Sequence, residues 1–231
     1  MKEGLRTLVN GELFLAHPDP TSQILSHLKG QHALNVFYCS EVLSLHGRSR
    51  WQIGVERMGD EKISGTVELL RMLIQFLESL WIQDFFIDIG SIKLWENHMA
   101  DIPEHRQEIW RSIRQRNFGM IEELPISAKK KQELWRLLNT RSQSSDDEEM
   151  ADLLSQIQDK RIFVDMGTIR FLPYYHELVF EVYVPSFGAP LGGGGRYRVN
   201  GGLGFGFALD AEILSQFQNS ASSQTEAGSW D

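Results

Sequence analysis

Cysteine is almost missing from this chain: Cys39 is the only one among 231 residues. A lone thiol excludes a disulfide framework and a cluster of thiolate metal ligands. No apolar run approaches the ~18–20 residues that a bilayer span requires, so no membrane helix is expected. The opening MKEGLRTLVNGELF has no apolar core followed by a small-residue cleavage site, which makes the cytoplasm the expected compartment. Positive charge is short as well, 23 Lys and Arg against 31 Asp and Glu, for a net charge of -8. A bulk nucleic-acid binder needs the opposite balance, because its affinity comes largely from neutralising phosphates. The glycine stretches Gly192–Gly195 and Gly201–Gly206 carry neither a terminal Lys-Ser/Thr nor the G-x-G-x-x-G spacing at a strand-to-helix junction. Those absences exclude a phosphate-cradling P-loop and a dinucleotide fingerprint. Seven histidines include no H-E-x-x-H pair, and no G-x-S-x-G elbow is present, so no metal is expected.

What is present suits a well-packed domain: 42% of residues are apolar and 10% aromatic. Leu5–Val9 and Glu12–Ala16 read as a hairpin around Asn10-Gly11, a pair that readily supplies positive φ. Thr21 is placed to cap a helix over 22–28. Strands are expected over 33–43 and 51–57, with a polar stretch from His46 to Arg50 between them. Val67, Leu70, Ile74, Leu77 and Trp81 recur at helical spacing and predict a helix over 64–81. Asp84–Ile89 reads as a buried strand ended by Gly90. Residues 91–158 read as a helical insertion, broken at Pro103, Gly119 and Pro125 and containing a solvated acidic loop over 142–149. Lys129–Lys131 are expected to face water, and Cys39 to be a small core residue. Strands are expected again over 161–166, 177–184 and 204–209, with two glycine-rich turns before the last. The small polar tail over 220–231 is expected to be disordered, leaving one α+β domain over 1–219 on an antiparallel sheet.

On spacing alone the glycine stretches read as flexible turns. Two local patterns suggest more. Tyr174-Tyr175 and Arg196-Tyr197 place aromatic hydroxyls beside bare backbone, as in the wall of a small polar pocket. Asp19 and Glu56, with Gln52, fall on neighbouring elements and could hold a ligand ammonium group.

Several stretches together resemble the catalytic domain of histidyl-tRNA synthetase, a class II aminoacyl-tRNA synthetase fold. LFLAHPDPTSQI (Leu13–Ile24) is similar to that family's L-R-P-E/D-x-T segment. NVFYCSEVLSLHGRSRWQIGVERMGD (Asn35–Asp60) resembles its motif 2 strand pair. RFLPYYHELVFEVYVP (Arg170–Pro185) and GGGRY (Gly193–Tyr197) resemble its two histidine-specific motifs, and GFGFALD (Gly204–Asp210) resembles the start of motif 3. The resemblance implies an antiparallel sheet flanked by helices, with a helical insertion. It also implies a histidine pocket. Asp19 would meet the ammonium group with help from Thr21 and Gln52, and Arg170 would lie near the carboxylate. Glu56 and Tyr175 would hold the imidazole, and Tyr197 would close the site.

The departures fall on the ATP side. Leu43-Ser44 stands where motif 2 has an arginine for the α-phosphate, and Ile213 follows Glu212 where motif 3 has one for the γ-phosphate. Neither serine nor isoleucine replaces a bidentate guanidinium. His17 replaces the arginine of L-R-P-E, and Pro173 and His176-Glu177 alter the double-tyrosine loop. A histidine site kept beside an ATP site lost resembles the synthetase-like regulatory subunits of ATP phosphoribosyltransferase, whose V-Y-x-P…G-G-R-Y pattern this chain shares. The resemblance implies a non-catalytic subunit with no cofactor, joined to a short-form catalytic subunit in a dimer or hetero-oligomer. It would serve the first step of histidine biosynthesis and its feedback inhibition, with L-histidine as effector. A diverged ligase that activates an amino acid with ATP, and a degenerate paralogue acting only as an interaction module, remain open alternatives.

Overall fold

The computed structural model describes residues 5–9, 12–16, 20–27, 34–43, 49–59, 63–115, 117–170, 172, 174–185, 187–199 and 202–217. The hairpin is present as expected: β1 (Leu5–Val9) pairs antiparallel with β2 (Glu12–Ala16) in a separate two-stranded sheet. Its Asn10-Gly11 turn and the tail over 220–231 lie outside the described residues. Helix α1 (Pro20–His27) starts on a proline, whose fixed φ and missing N–H suit the first turn. Thr21 therefore lies inside that turn and does not cap it.

Eight strands form the main sheet. They are β3 (Leu34–Leu43), β4 (Ser49–Met58), β5 (Phe86–Ser91), β6 (Arg141–Ser142), β7 (Ile162–Asp165), β8 (Tyr175–Tyr183), β9 (Pro190–Val199) and β10 (Gly202–Asp210), in the order β3-β4-β10-β9-β8-β5-β7-β6. The sheet is mixed and not purely antiparallel, because β5 and β7 run parallel. The chain between them is the helical stretch: α3 (Ile92–His98), α4 (Arg106–Gln115), α5 (Gly119–Glu123), α6 (Ala128–Leu138) and α7 (Glu148–Ile157). A crossover of that length is what lets two strands align in the same direction.

Helix α2 (Ile63–Ser79) buries Val67, Leu69, Leu70, Leu73, Ile74 and Leu77 and packs on α7 and β10. With Phe205, Phe207 and Leu209 of β10 these side chains belong to one continuous core. Trp81 does not extend the stripe. It sits past the helix at φ 63 and is 81% exposed. There the Ile82 N–H donates to the Leu77 carbonyl (3.0 Å) and the Trp81 N–H to the Glu78 carbonyl (2.9 Å), the Schellman pairing that usually places glycine at this position.

Other local expectations change for physical reasons. Gly90 lies inside β5, where its bare α-carbon admits the Thr168 carbonyl. The strand ends at Ser91, whose hydroxyl accepts the Leu94 N–H (3.1 Å) and caps α3. The acidic stretch is not all loop: Asp147 caps α7 by accepting the Met150 N–H (3.0 Å), and Glu148 and Glu149 form its first turn. Lys130 faces a cluster rather than water, pairing with Asp101 (2.9 Å) and Glu133 (3.0 Å). Cys39 is exposed, on the same face of β3 as the exposed Phe37 and Glu41. The glycines of 192–195 and 202–206 are not in turns but in strands β9 and β10; Gly201 lies outside the described residues.

Candidate ligand-binding site

Directly opposed residues of antiparallel strands share a face of the sheet. The register therefore puts a defined set of side chains on one side. Gln52, Gly54 and Glu56 of β4 oppose Asp210, Ala208 and Gly206 of β10. Ala208, Gly206 and Gly204 of β10 in turn oppose Gly193, Gly195 and Tyr197 of β9, and Gly193 and Tyr197 oppose Glu181 and Tyr175 of β8. Tyr38 of β3 lies opposite Gly54. All of this set but Gly54, Gly195, Gly204 and Asp210 line a cavity of about 370 Å³, together with Thr21 of α1 and Arg170 before β8.

The glycines exist for this cavity. A methyl group added at Gly206 would overlap the Glu56 carboxylate, and one at Gly204 would come within 2.6 Å of the Tyr197 hydroxyl. At Gly193 it would come within 2.6 Å of Arg170 Nη1, and at Gly195 within 3.1 Å of the Tyr175 ring. At Gly54 it would run into Tyr38. The floor is kept bare so that polar side chains from neighbouring strands can lie across it.

Glu56 is only 2% exposed, and its Oε1 accepts the Thr21 hydroxyl at 2.5 Å. Helix α1 is thereby joined to the sheet through a buried carboxylate. Tyr197 is 1% exposed, and its hydroxyl makes no hydrogen bond among the described residues, although the Glu56 charge is near enough to act on it. Burial foremost, and then Glu56, push the Tyr197 phenol well above its ordinary value, so it remains a proton donor at physiological pH. Tyr174 meets Tyr175 at 4.9 Å and Tyr197 at 6.1 Å between ring centroids, edge-on to the latter, building one apolar wall. Arg170 Nη1 stands 3.6 Å from Glu181 Oε1, and its buried Nε finds no acceptor among the described residues. The cavity thus offers a carboxylate, a phenol and a guanidinium held in separate places, which suits a small zwitterion carrying a further N–H group.

Of the seven residues expected from sequence, Thr21, Gln52, Glu56, Arg170, Tyr175 and Tyr197 line this one cavity. Asp19, with His17, Ser44 and Pro173, lies outside the described residues. Sequence reasoning did not single out Tyr38, Arg50 or Glu181, which also line it. Their signal was the register alone. Arg196, grouped with Tyr197 in the sequence, belongs to the opposite face. It pairs there with Glu149 and Glu177 and donates to Thr66 Oγ1 at 3.1 Å. Ile213, in a final helix α8 over 211–217, packs against the core and presents no charge. No group of His, Cys, Asp and Glu among the described residues could hold a metal ion.

A family model for histidyl-tRNA synthetase matches residues 16–214. Among curated proteins, the ATP phosphoribosyltransferase regulatory subunit of Aquifex aeolicus is 28% identical over 201 residues, covering 80% of this chain and 51% of that one. The chain spans about half the length of the curated relatives it matches. Among solved structures, an ATP phosphoribosyltransferase regulatory subunit/histidyl-tRNA synthetase from Bacillus halodurans superposes with a TM-score of 0.82 at 22% identity, over 94% of this chain and 68% of that one. A chain of the ATP phosphoribosyl transferase (HisG:HisZ) complex from Thermotoga maritima gives 0.76 at 21% identity, over 89% and 84%. Both show the same fold. The family match runs through every strand of the large sheet and every described residue named above in the cavity wall, and on that ground the chain belongs to the histidyl-tRNA synthetase family.

Proposed function

We propose that this chain is a non-catalytic regulatory subunit of ATP phosphoribosyltransferase that binds L-histidine in the glycine-floored cavity. The observation that carries the reading is the contrast between that cavity and position 213. The cavity gathers Thr21, Gln52, Glu56, Arg170, Tyr175 and Tyr197, whereas Ile213 is half-buried against the core and carries no charge. Relatives named as regulatory subunits of that transferase support the same direction. In this reading Glu56 accepts an imidazole N–H, Tyr175 and Tyr197 fix the ring, and Arg170 faces the histidine carboxylate. Asp19 takes the ammonium group beside Thr21 and Gln52. A buried polar group left unpaired costs about 1–3 kcal/mol, so leucine and phenylalanine bind weakly. The subunit works in the cytoplasm within a hetero-oligomer with a short-form catalytic subunit. No described helix is long and apolar enough to cross a membrane, which is compatible with that setting.

The test is to mix the chain with a short-form catalytic subunit and follow co-elution and phosphoribosyl-ATP synthesis, with and without histidine. The expected result is a complex, faster synthesis, and inhibition by histidine. Glu56→Ala should weaken histidine binding by about ten- to a hundredfold in a calorimetric titration while leaving the complex intact. Failure to form a complex would overturn the assignment. Robust histidine-dependent exchange of pyrophosphate into ATP would favour a ligase instead.

A further inference from the structure

Two acidic residues stand directly opposite each other on the cavity face of the sheet, Glu181 of β8 and Asp88 of β5. Each has a cation of its own. Asp88 accepts from Arg141 Nη2 at 2.9 Å, whereas Glu181 Oε1 lies 3.6 Å from Arg170 Nη1. The other Glu181 oxygen accepts the Tyr183 hydroxyl at 2.5 Å, so the carboxylate is held at one oxygen and faces arginine with the other. Arg170 itself precedes β8 in a stretch, 168–170, that is neither helix nor strand. Among the described residues Glu181 is the one polar partner of its guanidinium. Gly193, opposite Glu181 on β9, makes room for that pair: a methyl group there would come within 2.6 Å of Arg170 Nη1. Arg170 and Glu181 both line the cavity, and Tyr183 does not.

We propose that Glu181, held by the Tyr183 hydroxyl, is a positioning residue: it fixes the Arg170 guanidinium and through it makes the cavity select an amino acid over the amine that lacks the carboxylate. The inference rests on the histidine reading of the cavity and names what sets its specificity. An arginine side chain has four rotatable bonds, and ordering it weakens ligand binding unless a neighbour has ordered it beforehand. The Glu181 contact engages Nη1 alone, at ion-pair distance, and so orders the guanidinium while leaving its other N–H groups for a ligand carboxylate. Glu181 also repels that carboxylate, but only across the width of the guanidinium. Coulomb energy falls with distance, whereas a misplaced guanidinium loses both bonds of a forked pair.

The probes are L-histidine and histamine, which keeps the ammonium and the imidazole but lacks the carboxylate. Both are titrated calorimetrically into the whole chain and into two near-isosteric variants, Glu181→Gln and Tyr183→Phe, with melting curves to check that each is folded. The wild-type chain should prefer histidine. Glu181→Gln should weaken histidine binding about tenfold and leave histamine binding unchanged, so the preference shrinks by the same factor. Tyr183→Phe, which removes one oxygen, should weaken histidine binding alone and by a smaller factor. The double variant should bind histidine no more weakly than Glu181→Gln, because the tyrosine acts through the acid. Equal loss of both ligands would mark a general disturbance of the cavity and overturn the positioning role. Unchanged histidine binding in Glu181→Gln would overturn it too, as would tighter binding, the result a competing anion would give. Additive losses in the double variant would overturn the part given to Tyr183. A wild-type chain that binds no histidine would overturn the histidine reading and this inference with it, an outcome distinct from histidine binding that ignores Glu181.

Discussion

At the scale of single residues, Glu56 and Gly206 define each other. The carboxylate lies where a side chain from β10 would otherwise stand, and Thr21 Oγ1 holds it there at 2.5 Å. Gly206→Ala should therefore push Glu56 off that bond. The expected outcome is a loss of histidine affinity of at least about tenfold together with a lower Tm, since the added methyl would also come within 2.8 Å of the Val55 carbonyl; calorimetry and melting curves read the two effects. Arg196 gives the complementary case, because its bonds to Glu149, Glu177 and Thr66 lie on the far face. Arg196→Ala should cost about 1–2 kcal/mol in urea unfolding, chiefly by leaving Glu177 without its cation and Glu149 with Lys93 alone at 3.5 Å, and should leave histidine affinity unchanged. Gln52, Glu56, Tyr175 and Tyr197 were legible as local polar and aromatic patterns, and Thr21 and Arg170 only through motif resemblance. Tyr38, Arg50 and Glu181 were not, because nothing local marks a side chain whose partner lies across two or three strands. The pairing of Arg196 with Tyr197 misled for a simple reason: neighbours in a strand point to opposite faces.

At the scale of elements, α2 shows what periodicity can and cannot tell. Its core face followed the three- and four-residue spacing, but the last apolar residue in the series, Trp81, lies in a left-handed turn where spacing no longer applies. Trp81→Gly relieves that conformation at an exposed position. It should stabilise the protein by about 0.5–1 kcal/mol, less whatever freedom glycine adds to the unfolded chain, as measured by chemical denaturation. The glycine-rich strands were illegible for the opposite reason. A strand is recognised by alternating side chains, and β9 has four consecutive residues with none. What makes Gly192–Gly195 a strand is its ladder to β8 and β10, which only the folded sheet supplies. The insertion was legible as helices because prolines and caps punctuate it locally. The parallel pairing of β5 with β7 that it produces was not.

At the scale of the whole molecule, the two ends of the insertion are closed by charge. Arg161 binds both oxygens of Asp159 (2.9 and 2.6 Å) and reaches Glu78 at the end of α2 (2.7 Å), while its carbonyl accepts the Ile87 N–H of β5 (2.9 Å). The hydrogen bond from Arg161 holds the Asp159 carboxyl below the ordinary value of 3.8. Bonds from His98, and then Lys130, do the same for Glu133 relative to 4.5. A carboxylate with a depressed folded value contributes its stability above the unfolded value and loses it as pH falls through the folded one. Thermal stability should therefore decline from the ordinary carboxylate range downward, below about pH 4.5. Asp159→Asn should lower Tm at neutral pH and make that acid decline shallower, which a series of melting curves will show.

The bare floor of the cavity also carries an entropic consequence. Gly193, Gly195, Gly204 and Gly206 lie on that face in strand interiors, where each glycine gives up about 0.5–1 kcal/mol more freedom on folding than alanine would. Their sum is a sizeable part of the ~5–15 kcal/mol that keeps a domain folded. A ligand bound there would add stability to a sheet that its own glycines weaken. Once free histidine exceeds its dissociation constant, each further tenfold rise should add about 1.4 kcal/mol of stability through mass action alone. On the proposed function, the melting temperature of the chain should therefore serve as a gauge of histidine supply, which melting curves across a histidine series will check.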